Sequence, residues 1–165
     1  MMRVSLRPAQ ESDIAFIMDC ERGPGYAPLV GRWPADQHRT TMAEPDFHYL
    51  IGSDESGTAR GFAFVRENFL GFPNCYLKRI AVRDTGAGFG KPFTAALCDW
   101  VFTQTKTHRF WLEVVEANAR AIHVYHAQGF VDEGRVREAF VDPDGSRGSY
   151  VLMSILKPEW QARRA

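Results

Sequence analysis

The chain has 165 residues, 45% of them apolar and 24% charged, which suits one domain with a real core and leaves too little for two. Lys plus Arg and Asp plus Glu each number 20, so the formal net charge is zero, which argues against a general nucleic-acid binder. No apolar run has the length of a membrane span, MMRVSLRPAQESD lacks the apolar core of a signal peptide, and Cys20, Cys75 and Cys98 form no CxxC pair; the expectation is a cytoplasmic protein with reduced thiols and no membrane contact.

RVSLRPA alternates Val4 and Leu6 with polar neighbours and stops at Pro8, which predicts a short strand. Ser12 is expected to cap a helix, with Asp13 in its first turn and Ile14, Ile17 and Met18 on its apolar face. RGPGYAPLVGRWP, residues 22–34, reads as a long ordered loop of the kind that lines sites. ADQHRTTMAEP predicts a short helix ending before Pro45. FHYLIG, RGFAFVREN and CYLKRIAV read as three strands. After the third comes RDTGAGFGKP and then a helix, KPFTAALCDWVFTQT, whose Phe93, Ala96, Leu97, Trp100 and Val101 recur at helical spacing. RFWLEVV is apolar on both faces, as a central strand would be. NARAIHVYHAQGF predicts a helix stopped by Gly129. REAFVD, the turn PDGS and RGSYVLMSIL close the chain as a hairpin, so the fold class is α/β or α+β.

RDTGAGFGKP places Gly86, Gly88 and Gly90 at alternate positions between a strand and a helix. A Walker loop would need Gly at Thr85 and Ser or Thr at Pro92; a dinucleotide fingerprint would need Gly at Lys91. Both nucleotide patterns fail. Two readings stay open. The backbone N–H groups of residues 86–91, the helix dipole and Lys91 would make a cradle for a pyrophosphate. Alternatively, the glycines only ease a tight turn.

Downstream, Asn118 to Phe130 follow N-x-x-A-x-x-x-Y-x-x-x-G-F. Together with IAV and the alternating glycines before it, this resembles the GNAT superfamily of acetyl-CoA-dependent N-acetyltransferases. LRPAQESD and YVLMSIL resemble that family's first and last strands, so the resemblance spans nearly the whole chain. LKRIAV, HRFWLEV and NARAIHVYHAQGFVDEGRVRE resemble the branch with ribosomal-protein N-terminal acetyltransferases and related small-amine acetyltransferases.

The resemblance implies a single domain over residues 1–165, with a mixed, mostly antiparallel sheet of six to seven strands and about four helices. It implies acetyl-CoA as cosubstrate, an amine acceptor and no metal. The pyrophosphate would lie on the backbone of Gly86, Ala87, Gly88, Phe89, Gly90 and Lys91. The pantetheine arm would pair with Ile80, Ala81 and Val82, and an N–H near Ala81 or Val82 would serve the oxyanion. Asn118 would contact CoA as well as cap its helix, and Tyr125 would face the CoA sulfur. The family is often dimeric, which leaves a homodimer open. One departure is Thr85, where the family usually has Gln or Arg; Arg83 or Lys91 would then supply the charge.

Acetyl transfer sets three demands. The amine must lose a proton from an ammonium of pKa ~10.4. The oxyanion needs donors, and the departing thiolate needs a proton. Tyr125 is the candidate acid, against the alternative of a core tyrosine. Glu113 is the candidate base, because it interrupts an apolar strand where burial would raise its pKa. The alternative there is a structural ion pair with Lys78 or Arg79. His123 and His126, three apart on one helix, read as a solvated or CoA-facing pair. Arg22, Tyr26, Arg32 and Trp33, with the last hairpin, are expected to line the acceptor side. A protein N-terminus, a polyamine, an amino acid and an antibiotic amine all remain open, though a polyamine would need clustered acids that residues 22–34 lack. A non-catalytic acyl-CoA sensor is the alternative function.

Overall fold

The computed structural model describes residues 1–165. Strand β1 (Ser5–Pro8) leads through a 3-10 turn (Glu11–Asp13) into α1 (Ile14–Glu21) and then α2 (Ala35–Met42). Strands β2 (Phe47–Ser53), β3 (Ala59–Glu67) and β4 (Asn74–Val82) follow, then α3 (Gly90–Gln104), β5 (Arg109–Val115) and α4 (Ala119–Ala127). The chain closes with β6 (Val131–Val141), β7 (Arg147–Leu156) and α5 (Lys157–Arg164). The strands form one seven-stranded sheet in the order β1-β2-β3-β4-β5-β7-β6, in which only β4 and β5 run parallel.

The central strands bury both faces in alternation. Leu50, Ala63, Val65, Cys75 and Leu77 pack with α3 and α4 through Phe93, Leu97, Val101 and Tyr125. Ile51, Phe62, Phe64 and Ala81 pack on the other face with Ile17 and Cys20 of α1. Gly52 and Gly61 let α3 approach closely. A Cβ on Gly52 would stand 2.6 Å from the Phe93 ring, and one on Gly61 would stand 3.0 Å from it. Phe93 thus seats the first turn of α3, and with it the end of the glycine loop, against the sheet.

The order of elements follows the sequence reading, with four differences. Ser12 caps nothing: it lies in the 3-10 turn, and the Asp13 carboxylate accepts from Gln10 N–H at 2.7 Å. Asp13 also takes two hydrogen bonds of 2.8 Å from Arg7, which fixes it in that role. Strand β6 begins six residues before REAFVD, at Val131, and a fifth helix, α5, follows β7. Finally, β3 and β4 change register: Phe64 pairs with Arg79 but Val65 pairs with Leu77. Lys78 is therefore the extra residue of a bulge, which bends β4.

Candidate active site

The bulge creates the opening on which the site is built. Beta-4 and β5 pair from Asn74↔Arg109 to Leu77↔Leu112 and no further. Beyond Lys78 the two parallel strands part, and the edge of β4 toward β5 is free of strand partners. Backbone groups of alternate residues face opposite edges of a strand. Arg83 N–H bonds Arg60 of β3. Val82 turns the other way, and its N–H and C=O both meet the Tyr26 hydroxyl at 3.1 Å. Ile80 shares that open edge, whereas Ala81 directs its backbone toward β3 and its methyl into the core. Of the two expected oxyanion donors, Val82 is therefore the one that faces the opening.

The glycine loop continues from this edge. Gly86 and Gly88 adopt φ of 89° and 81°, in the left-handed region that side chains resist. The N–H groups of Gly86, Gly88, Phe89, Gly90 and Lys91 find no acceptor within the protein. Phe89 instead sends its ring into the core against Phe93, with ring centroids 5.3 Å apart. Lys91 is exposed and in no ion pair, so its charge is available at the loop. Arg83 is already engaged, with Asp19 at 3.5 Å and its guanidinium 4.7 Å from the Phe16 ring. Asp84 brings a carboxylate to the loop, and Arg60 answers it at 3.4 Å. Thr85 is exposed.

Across the opening stands α4. Asn118 caps it, accepting from Ala121 N–H at 3.2 Å, as its side-chain type favours. Gly129, at φ 95°, ends it. Tyr125 is 6% exposed and packs on Phe130. Its hydroxyl bonds no protein group and yet is not an enclosed orphan, so it opens to solvent. Burial, followed by the nearby Cys98 and Tyr26, pushes the phenol well above its ordinary value, so it holds its proton at neutral pH. His126 is exposed and bonds Asp132 at 2.7 Å, and His123 is exposed.

Glu113 differs from expectation. Its side chain is exposed on the face that carries α1 and α2, because β5 buries Leu112 and Val114 on the other face. Neither Lys78 nor Arg79 pairs with it. Arg79 is committed to Glu21, and this pair is the functional feature the sequence reading missed. Glu21 is wholly buried at the end of α1; it binds the Arg79 guanidinium and takes a 2.6 Å hydrogen bond with His38 Nε2. His38 Nδ1 lies 3.0 Å from the Tyr49 hydroxyl, and Trp33 covers Arg79 with its ring 4.7 Å away. The network ties α1, the 22–34 loop and α2 to β4 one residue past the bulge.

Three of the four loop residues named from sequence, Arg22, Tyr26 and Trp33, serve this same anchoring. Arg22 donates to Met18 and Trp33 carbonyls. Trp33 packs on His38, Phe64 and Arg79. Arg32 is exposed and unpaired. Tyr26 pins the loop to Val82. Tyr26→Phe is expected to cost about 1 kcal/mol, a Tm drop of about 2–4 °C for a domain of this size in a melting scan. An unchanged Tm would mean that the hydroxyl does not secure the loop.

No helix is long and apolar enough to cross a membrane. A family model described as Acetyltransferase (GNAT) family matches residues 15–130. A spermidine N(1)-acetyltransferase of Vibrio cholerae is 36% identical over 61 residues, which are 37% of this chain and 35% of that protein. The match thus spans about a third of this curated relative. Among solved structures, spermidine N-acetyltransferase from Vibrio cholerae in complex with CoA and spermine superposes with a TM-score of 0.85. It is 20% identical, covering 96% of this chain and 98% of that one. A point mutant of the same enzyme gives a TM-score of 0.84 at 20% identity, covering 99% of each chain. These likenesses establish the fold, with its seven-stranded mixed sheet and five helices.

Proposed function

Because the chain belongs to the GNAT family of acetyltransferases, we propose that it transfers the acetyl group of acetyl-CoA to the primary amine of a small molecule. The observation that carries this reading is the continuity of the site: an open strand edge runs directly into unpartnered loop N–H groups, with a protonated tyrosine across from it. The curated relative and the superposed structures are named for spermidine, which supports a small-molecule acceptor over a protein N-terminus and gives the ribosomal-protein branch no support. The buried cysteines suit a reducing cytoplasm.

In this proposal the pyrophosphate lies on the free N–H groups of Gly86, Gly88, Phe89, Gly90 and Lys91, with Lys91 as counter-charge; the Ala87 N–H, also expected there, is instead bonded to the Asp84 carbonyl at 3.4 Å. The pantetheine arm pairs with the edge of β4 at Ile80 and Val82, and Asn118 meets the cosubstrate from α4. Tyr26 yields the Val82 N–H as the thioester arrives, and that N–H stabilises the oxyanion. Glu113 takes a proton from the substrate ammonium. The amine nitrogen attacks the thioester carbon, the N–C bond forms and the C–S bond breaks. The departing thiolate takes the Tyr125 proton, and the acetylated nitrogen sheds its surplus proton to restore the phenol.

Attack is direct, in a ternary complex, because no thiol is fit to carry the acetyl group. Burial pushes Cys20 up to about 12 and Cys75 and Cys98 higher still, so none is a thiolate at neutral pH. The test is thiol release from acetyl-CoA over a panel of amines, with the N-acetyl product weighed by mass spectrometry. Intersecting initial-velocity lines are expected; parallel lines would mean an acetyl-enzyme. CoA binding without thiol release on any amine would favour a sensor.

The cradle makes its own prediction. Gly88→Val forces a β-branched residue into a left-handed backbone and sets a side chain against the bound anion. That strain, of the order of ~1–3 kcal/mol, weakens CoA binding by roughly 5- to 150-fold before any steric clash is counted. Thr85→Arg adds a cation at the vacant family position and tightens CoA by about tenfold. Calorimetric titration reads both; wild-type affinity in Gly88→Val would remove the loop from the site.

A further inference from the structure

On the face that carries α1 and α2, a cavity of about 270 Å³ opens beside the splay. Phe47, Phe69, Tyr76 and Trp111 form its walls. Tyr76 and Trp111 lie with ring centroids 4.4 Å apart, and Phe69 leans on them at 5.5 and 6.0 Å. The Trp111 indole N–H bonds Asn74 Oδ1 at 2.9 Å, which fixes that wall. A chamber of this kind suits a flat apolar body.

Three charged residues complete it: Arg66, Lys78 and Glu113. No ion pair within the protein occupies any of them. Lys78 and Glu113 stand at the mouth, each next in sequence after the last β4–β5 pair, Leu77↔Leu112. The Arg66 guanidinium lies 4.7 Å from the Phe69 ring and 5.3 Å from Phe47. Its Nε–H is closed off from solvent beneath these rings, whereas its two terminal NH2 groups bond no protein group and stay open to solvent. The cavity therefore offers two cations and one anion around an aromatic chamber.

We propose that the acceptor is amino-acid-like, with a primary amine and a carboxylate on one aromatic or large apolar body. The proposal deepens the acetyl-transfer reading and rests on it. The body fills the aromatic chamber. The amine meets Glu113 at the splay, where the thioester arrives, and the carboxylate meets Lys78 and Arg66. A polyamine would set its further ammonium groups against these two cations in a confined space, where like charges repel strongly. The basic residues of the 22–34 loop add no acid to receive them.

The test compares phenylalanine, phenethylamine and spermidine as acceptors, with binding of labelled phenylalanine to the CoA-loaded protein followed by equilibrium dialysis. Phenylalanine should exceed phenethylamine in kcat/KM by about ten- to a hundredfold, the worth of a charge-assisted hydrogen bond. Spermidine should fall below phenylalanine. In the double variant Arg66→Met, Lys78→Met that preference for the carboxylate should disappear and phenylalanine binding should be lost; the Met side chains keep the apolar packing. Spermidine as the best acceptor, a preference that survives in the variant, or no phenylalanine binding to the wild type would each overturn the proposal. Phenylalanine that binds while no amine is acetylated would uphold the cavity and sink the acetyl-transfer reading instead.

Discussion

Tyr125→Phe is expected to lower kcat by about 10²-fold or more, the usual scale for a general acid. The substitution separates chemistry from structure cleanly. The Tyr125 hydroxyl bonds no protein group, so its removal costs no internal hydrogen bond and leaves Phe130 packed against the ring. The Tm should stay within experimental error of the wild type, and CoA should still bind. Steady-state kinetics and a melting scan on one preparation decide the matter. A kcat equal to the wild type would make Tyr125 a core residue with no part in protonating the thiolate.

The second large effect is on stability and centres on Glu21. Burial pulls the Arg79 guanidinium down from its ordinary value, and Glu21, by its charge and its hydrogen bond, pushes it back. Glu21→Ala removes that support, leaving a buried cation and an orphaned His38. Breaking a buried pair from one side costs about 3–5 kcal/mol. At 2–4 °C per kcal/mol for a domain of this size, the Tm should fall by roughly 6–20 °C. Adding Arg79→Met to Glu21→Ala should restore part of the loss, because no uncompensated charge then remains. A double variant as unstable as the single one would show that the cost lies in packing around Glu21 and not in the stranded charge. The network also anchors β4 one residue past the bulge, beside Lys78 of the proposed acceptor cavity, so the single variant should raise KM for the amine more than for acetyl-CoA.

Much of this site was legible because its parts are local. Strand β5 spans Arg109–Val115, the run expected from its apolar pattern, and the α4 cap and stop fall on Asn118 and Gly129, whose chemistry acts within one turn. The two left-handed glycines likewise carry their meaning in their own backbone. What escaped depends on partners far along the chain. The bulge at Lys78 is a mismatch between β3 and β4, and nothing in CYLKRIAV alone announces it. Glu21 looks like an ordinary helix-end acid until Arg79, 58 residues away, folds onto it. Glu113 sits in an apolar run, yet alternation turns it away from the core that Leu112 and Val114 enter, and the parting of β4 and β5 beside it leaves it exposed. Beta-6 is missing its first half from the sequence reading because VDEGRV is almost wholly exposed and has no buried face to impose a period.

These elements meet in one claim: the open edge of β4 and the glycine loop after it form a continuous seat for acetyl-CoA. Calorimetric titration of the protein with CoA and with ATP tests it most directly. CoA should saturate a single site and bind at least about tenfold more tightly than ATP, since the strand edge recognises the pantetheine arm that ATP lacks. ATP binding as tightly as CoA, or no binding of CoA at all, would contradict the account.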